Sequence, residues 1–206
     1  MFKGRLVVGD YDQLEMRLMA HYSEDPNLVR VFRDGLDPHV ETMRGIFGDV
    51  DPTVVAPGAS ISYRDAAKQL NYAMGYGAGK KKVAQTLSLF GFPTTPELAG
   101  EYLAELAGHY RKFFRWKKHV IETAKRKGSV RTLSGRRRRL KGQFRDTADW
   151  KAVSYGERQA VNAIIQGSAA DIINRTMVRL DDAVGLSLLA QVHDELVWEY
   201  EEHPTR

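Results

Sequence analysis

Both ends of the chain carry short apolar runs that stop at carboxylates. Leu6-Val7-Val8 leads into Gly9-Asp10, and two apolar stretches, residues 186–190 and 196–200, flank Gln191-Val192-His193-Asp194-Glu195. Apolar runs this short have the length of strands rather than helices. The first reads as a buried strand ending in an acid, and the later pair reads as a hairpin with acids at its tip. Between them the chain is mostly helical in spacing. Strand, many helices and then a hairpin is an order that alternating βαβ units do not produce, so the fold class is α+β.

Leu14, Met16, Leu18 and Met19 predict a helix from Gln13 that stops near Ser23-Glu24-Asp25-Pro26. Pro38 opens a second one, because its missing N–H is harmless in a first turn; this helix runs through Phe47 and ends at Gly48. Residues 49–60, with Pro52, Pro57 and Gly58, read as a loop. Helices are expected over 64–74, ending at Gly75-Tyr76-Gly77, over 80–90, over 96–127 as one or two pieces, and over 157–180 despite Gly167. The stretch from Gly128 to Arg136 alternates and carries a Ser-Gly turn, as a β-hairpin does.

A length of 206 residues gives one domain or a two-lobed unit, and 43% hydrophobic residues suffice for a core. Without cysteine, a disulfide framework, a thiolate metal site and a cysteine nucleophile are excluded. The densest apolar run, residues 183–190, is broken by Gly185 and Ser187, and Met-Phe-Lys-Gly-Arg at the start lacks a signal core. The expectation is a soluble, cytoplasmic protein with no membrane partner.

The net charge of +5 conceals a bipolar chain. Residues 111–145 hold fifteen Lys and Arg and a single acid, Glu122, interleaved with Phe113, Phe114, Trp116 and Phe144. Such a block attracts a polyanion, DNA, RNA or an acidic protein, and it equally fits a solvated helix face with a basic loop.

Asp10 and Asp194 converge if their strands share a sheet. Two carboxylates without histidine or cysteine suit Mg²⁺, and two such ions ~4 Å apart can serve a phosphoryl displacement. Arg64, Lys68 and Tyr72 recur every four residues and make one helical stripe, either a clamp for a nucleoside triphosphate or a solvated amphipathic face. Gly75-Tyr76-Gly77-Ala78-Gly79-Lys80 is no phosphate loop, since Met74 and Lys81 stand where Gly and Ser or Thr are needed. The six histidines form no zinc pattern.

Taken together these stretches resemble the family A DNA polymerases, the bacterial polymerase I type shared with many phages. Asp10-Tyr11-Asp12-Gln13-Leu14-Glu15-Met16-Arg17 is similar to the first palm motif, usually written D-Y-S-Q-I-E-L-R. Arg64-x3-Lys68-x7-Tyr76-Gly77 resembles the fingers-helix motif, and Gln191-Val192-His193-Asp194-Glu195-Leu196-Val197 the second palm motif. Asp37-Pro38-His39, Thr132-Leu133-Ser134-Gly135-Arg136-Arg137, and Glu157-Arg158-x3-Asn162-x3-Gln166-Gly167-Ser168-Ala169-Ala170-Asp171 are similar to family stretches in the right order. The resemblance implies a palm sheet with a largely helical fingers subdomain: palm over 1–20, fingers over 21–157, palm again over 158–206.

It also implies template-directed transfer of a dNTP to a primer 3′-OH with two Mg²⁺ ions. Asp10, Asp194 and the Tyr11 carbonyl would hold the metals, with Glu195 in support. Glu15 would exclude a 2′-hydroxyl. Arg64, Lys68 and His39 would grip the triphosphate, with Lys68 also a candidate proton donor to pyrophosphate. Tyr72 would stand in for a missing sugar 3′-OH, and Tyr76 would sit at the nascent pair. Arg158, Asn162, Gln166 and His193 would contact primer or template, with Arg131, Arg136 and Arg137 of the basic block as further nucleic-acid contacts. Asp12 departs from the family's Ser, and adds a carboxylate that either joins the metal site or faces solvent. With nine residues before Asp10 and twelve after Asp194, the expectation is that thumb and 3′–5′ exonuclease are absent, and that either a separate polypeptide supplies them or the sequence is a fragment, in the cytoplasm or a phage-infected host cytoplasm. The alternative is a catalytically inactive, nucleic-acid-binding remnant; a single-subunit RNA polymerase is disfavoured by Glu15.

Overall fold

A computed structural model describes residues 5–145, 148–181 and 186–200. Residues 1–4, read for a leader, residues 183–185 of the densest apolar run, and the last residues of the second palm piece lie outside the described residues. The elements are β1 (Arg5–Asp10), α1 (Leu14–Ser23), α2 (Pro26–Arg33), α3 (Pro38–Phe47), α4 (Tyr63–Tyr76), α5 (Lys80–Leu89), α6 (Pro96–His109), α7 (Arg111–Lys127), β2 (Ser129–Arg131), β3 (Arg137–Arg139), α8 (Trp150–Asp181), β4 (Leu186–Val192) and β5 (Glu195–Tyr200). This is the α+β class read from the sequence.

The first and last strands share one antiparallel sheet of order β1-β5-β4. Val7 pairs with Trp198, Val8 with Val197 and Asp10 with Glu195. Gly9 suits the packing, because a Cβ there would stand 3.0 Å from the Trp198 ring, tighter than an ordinary contact. Leu196 and Trp198 turn inward to join a core built on α1, α7 and α8, which includes Leu14, Leu18, Phe113, Ile165 and Ile173. A second cluster fills the helical lobe: Ala66 and Leu70 of α4, Val83 and Leu87 of α5, and Ala99 of α6, with Phe92 ringed by Phe47, Tyr63 and Tyr102. The β-bonded acids and the helical lobe therefore rest on separate cores that meet along α4.

Four details differ from the sequence reading. The first strand, read as buried, is exposed along Leu6, Val7 and Val8, since β1 is an edge strand of the sheet. Pro26 begins a helix instead of only ending one: Asp25 caps α2, its Oδ1 accepting from the amides of Asn27 (3.0 Å) and Leu28 (3.4 Å). The stretch 96–127, read as one or two helices, is two, parted at the fully buried Tyr110, whose hydroxyl meets Thr42 at 2.7 Å. The hairpin pairs Ser129–Arg131 with Arg137–Arg139, so its second strand is the arginine run and residues 132–136 form the turn. Helix α8 starts at Trp150, seven residues early, with Asp149 accepting from the Ala152 amide at 2.7 Å.

The Asp25 carboxylate also serves a second helix. Its Oδ2 accepts from the amides of Lys112 (2.8 Å) and Phe113 (3.2 Å) in the first turn of α7. Asp25 is almost fully buried, so one side chain satisfies orphan amides of two helices at once. Asp25→Ala is expected to destabilise the protein by about 2–4 kcal/mol in urea denaturation, two capping losses rather than one. Asp25→Asn, which keeps an acceptor for only one helix, should cost about half as much; equal costs would contradict the double cap.

Candidate active site and nucleic-acid groove

Register places the acids. Asp10 faces Glu195 across β1 and β5, and the β4–β5 connection is the two-residue turn His193-Asp194 between the paired Val192 and Glu195. His193 adopts φ 56°, and the Gln191 side-chain amide donates to its carbonyl at 3.0 Å, bracing the turn. The Tyr11 amide donates to the Asp194 carbonyl at 3.4 Å, which ties the end of β1 to the hairpin tip. Asp10, Asp194 and Glu195 thus stand at one end of one sheet, from positions far apart in the chain. Among the described residues no three His, Asp or Glu side chains form a ready metal cage. Two carboxylates and a carbonyl, all oxygen, nevertheless fit a hard divalent ion that completes its shell with water and phosphate. The Tyr11 carbonyl already accepts from the Leu14 amide at 3.3 Å, and keeps one lone pair for another partner.

Asp12 is turned to a different task. Its carboxylate takes Arg17 Nη2 at 3.1 Å, its carbonyl takes Arg17 Nε at 2.8 Å, and that guanidinium lies 4.6 Å from the centroid of the Phe32 ring. The extra carboxylate pairs with Arg17 of α1, and it is that guanidinium which packs on Phe32 of α2.

A cleft of about 470 Å³ separates α4 from the sheet end. Glu15, His39, Tyr72, Tyr76, Gln166, His193 and Asp194 line it, so seven residues singled out from the sequence meet there. Tyr76 donates to Glu15 Oε2 at 3.2 Å. Burial pushes the Glu15 carboxyl above its ordinary range and Asp194 adds to this, while hydrogen bonds from Tyr76 and Gln166 oppose it. Burial also raises the Tyr76 phenol, with Glu15 as the next cause.

Lys68 and Arg64 lie about one and two turns before Tyr72 along its stripe on α4, beyond the cleft lining. Arg64 grips Asp37 Oδ2 through Nε (2.8 Å) and Nη2 (2.6 Å), and Asp37 Oδ1 caps α3 through the His39 amide at 2.7 Å. Burial lifts the Asp37 carboxyl, but Arg64 and the α3 amides outweigh it and hold the group below its ordinary value. His39 is depressed, first by burial and then by Arg64 and Lys68 against the pull of Asp37. The Asn71 amide nitrogen meets His39 Nδ1 at 2.9 Å, so a neutral ring carries its proton on Nε2. Asn71 was not singled out from the sequence; it lines the same cleft as Tyr72, and its position one residue before Tyr72 was its only signal.

Lys117 was also missed, as one of fifteen cations in the basic block. Its Nζ reaches from α7 to the Met74 carbonyl at 3.2 Å, in the last turn of α4, which has no basic residue of its own. Gly77 closes that turn at φ 70°, and a Cβ there would lie 3.3 Å from both Lys117 Nζ and Arg158 Cγ. An ammonium at a helix C-terminus interacts favourably with the exposed carbonyls. Burial keeps its pKa below that of an ordinary lysine.

A groove of about 680 Å³ leaves the cleft past Tyr76, Gln166 and Ala170, and carries Arg136, Arg137, Arg158 and Asn162. Arg136 is held by Asp171 (2.9 Å) and the Gly167 carbonyl (3.0 Å), docking the hairpin on α8. Arg131 folds back onto the Gly135 carbonyl at 2.8 Å and is outside the groove lining. Arg137 is exposed in the groove.

An α+β protein whose acid-tipped antiparallel sheet faces a cationic helix across a cleft, with an arginine-lined groove leading out, has the layout of a nucleotide-polymerising palm and fingers. The family model described as DNA polymerase family A matches residues 2–206, and the chain belongs to that family. It is 39% identical over 198 residues to the thermostable DNA polymerase I of Thermus thermophilus and 35% identical over 199 residues to the DNA polymerase I of Geobacillus stearothermophilus. Each alignment covers 94% of this chain but only 22% and 21% of those relatives. Among solved structures, it is similar to the POL domain of Pol1 from M. smegmatis in complex with DNA primer-template and dNTP: TM-score 0.83 and 32% identity, covering 98% of this chain and 34% of that one.

The Lys117 contact yields a pH test. With the folded pKa depressed below 10.5, the unfolded chain binds more protons between the two values, so stability rises with pH across that interval. The stability of the wild type relative to Lys117→Met, measured by urea denaturation, should rise as pH approaches 10.5. A pH-independent difference would contradict the assignment.

Proposed function

We propose that this chain is the palm and fingers portion of a template-directed DNA polymerase that transfers a dNTP onto a primer 3′-OH. The observation carrying this reading is the meeting of Asp10, Asp194 and Glu195 at a sheet end beside the stripe of α4. Residues 1–20 and 158–206 would form the palm and 21–157 the fingers. Asp10, Asp194 and the Tyr11 carbonyl would hold Mg²⁺, two ions in all, with Glu195 supporting them. Bound there, the metal would activate the primer hydroxyl and stabilise charge on the departing pyrophosphate.

The remaining roles fall to side chains. Arg64, Lys68 and His39 would hold the triphosphate, His39 through a neutral Nε2–H rather than a charge, and Lys68 would supply a proton to the leaving group. Arg64 would keep Asp37 as its counter-ion while one guanidinium edge faces phosphate. Glu15, fixed by Tyr76, would obstruct a ribose 2′-hydroxyl, and Tyr72 would contact the sugar's 3′ side. Tyr76 would leave Glu15 only as the nascent pair enters. Arg158, Asn162, Gln166 and His193 would touch primer-template DNA, assisted by Arg136 and Arg137, with Arg131 stiffening the hairpin behind them. A separate polypeptide bearing thumb and exonuclease is proposed as partner, since duplex behind the site needs further holding; processive extension by this chain alone at near-physiological salt would count against it.

Primer extension with dNTPs and Mg²⁺ is the test. Asp194→Ala should lower the rate about 1,000-fold or more, as loss of metal-held charge stabilisation demands. Wild-type and Asp194→Ala proteins that both bind DNA, and that bind Mg²⁺ and dNTP equally weakly, would establish the inactive remnant instead. Asp12→Ser should leave the Mg²⁺ dependence unchanged, because Arg17 already occupies that carboxylate. Tyr72→Phe should lose ready incorporation of dideoxynucleotides, and equal discrimination by both proteins would contradict the role of the phenolic hydroxyl.

A further inference from the structure

The far wall of the arginine-lined groove carries an aromatic ring that none of these roles uses. Tyr155 lies near the start of α8, is 51% exposed and lines the groove together with Arg136, Arg137, Arg138, Arg158 and Gln159. It belongs to neither hydrophobic cluster. The ring is nonetheless held: the Gln159 amide donates to the Tyr155 hydroxyl at 2.9 Å, and Arg138 Nη2 donates to Gln159 Oε1 at 3.4 Å. A chain of two hydrogen bonds therefore links the hairpin, the helix and the phenol.

Placement gives this ring a direction. Tyr155, Gln159, Asn162 and Gln166 are spaced by four, three and four residues, so they share one face of α8. Gln166 is the residue at which the groove joins the cleft, and Tyr155 stands roughly 16 Å further along the helix axis. That distance spans several nucleotides of a strand. Every charged side chain lining the groove is positive, with no acid among them. A positive channel for the backbone with a fixed, exposed ring in its wall is the combination that takes single-stranded nucleic acid, since any base offers a face for stacking and phosphates follow the cations.

We propose that Tyr155 is a stacking platform for an unpaired base of a single DNA strand lying in this groove, with Gln159 orienting the ring and Arg138 meeting the adjoining phosphate. This rests on the reading of the groove as a nucleic-acid track and extends it beyond the residues nearest the cleft. Stacking and charge pairing respond differently to salt, which separates the two contributions.

The test is fluorescence anisotropy of a labelled, unstructured single-stranded DNA against the full chain over a range of salt, with a blunt duplex as control. Tyr155→Leu should bind the single strand about 5- to 150-fold more weakly with an unchanged salt slope, and bind the duplex as wild type does. Tyr155→Phe, which keeps the ring, should bind nearly as well as wild type. Arg138→Gln should flatten the salt slope by about one unit. Equal weakening of strand and duplex binding, a Tyr155→Leu protein indistinguishable from wild type, or a Tyr155→Phe protein as weak as Tyr155→Leu would overturn the proposal, as would a wild type that binds an acidic peptide but no single strand. Binding needs no turnover, so a wild-type protein that captures the strand yet binds Mg²⁺ and dNTP no better than Asp194→Ala refutes the polymerase reading and leaves the platform standing.

Discussion

Six cross-strand pairs between β1 and β5 join the two ends of the chain, and the placement of the acids depends on their register. Side chains alternate faces along a strand, so a slip of one residue would send Asp10 to the opposite face from its present partner. Trp198 guards against that slip. Its ring occupies the space left by Gly9, and a shift would bring Val8 or Asp10 over the indole instead. The Tyr11 amide bond to the Asp194 carbonyl then closes the corner where strand and hairpin meet. A pairing that is ordinary backbone chemistry at each step thus brings together carboxylates separated by most of the sequence.

The helical lobe meets this corner through a second set of fixed points. Asp25 joins α2 to α7 by capping both, and Lys117 carries α7 to the last turn of α4. At the other end of α4, Arg64 is bonded to the Asp37 carboxylate that also caps α3. Helix α4 is therefore held at both ends by groups on other helices, while its middle presents Tyr72 to the cleft. Tyr76 is the exception: its exposed ring is held through hydrogen bonds to Glu15 and Gln166, which are weak restraints compared with the caps. The arrangement gives a rigid helix with one easily released residue at the mouth of the cleft.

Much of this was legible in the residues. The strand-helices-hairpin order follows from run lengths and punctuation, and the four-residue spacing of Arg64, Lys68 and Tyr72 fixes a helical face without reference to tertiary structure. What escaped was tertiary. Asp25 before Pro26 reads equally as a stop and as a cap, and only the approach of α7 shows that its second oxygen is used. Lys117 is one cation among fifteen, and nothing local marks the one whose ammonium is turned inward. Asp12 stood open between metal site and solvent; the decision belonged to Arg17, five residues on, and to the ring of Phe32 beneath it. The hairpin was read as ending at Arg136, short of the arginine run, because pairing with Ser129–Arg131 is a property of the partner strand.

The most direct measurement is a double-mutant cycle on divalent-ion binding. Mn²⁺ bound in the presence of dNTP can be counted by electron paramagnetic resonance for the wild type, Asp10→Ala, Asp194→Ala and the double variant. If the two carboxylates share ions at one corner, either single substitution removes nearly as much binding as both together, giving a large coupling. Losses that simply add would mean that the two acids act at separate places, and the account of this chain as a polymerase palm would be contradicted.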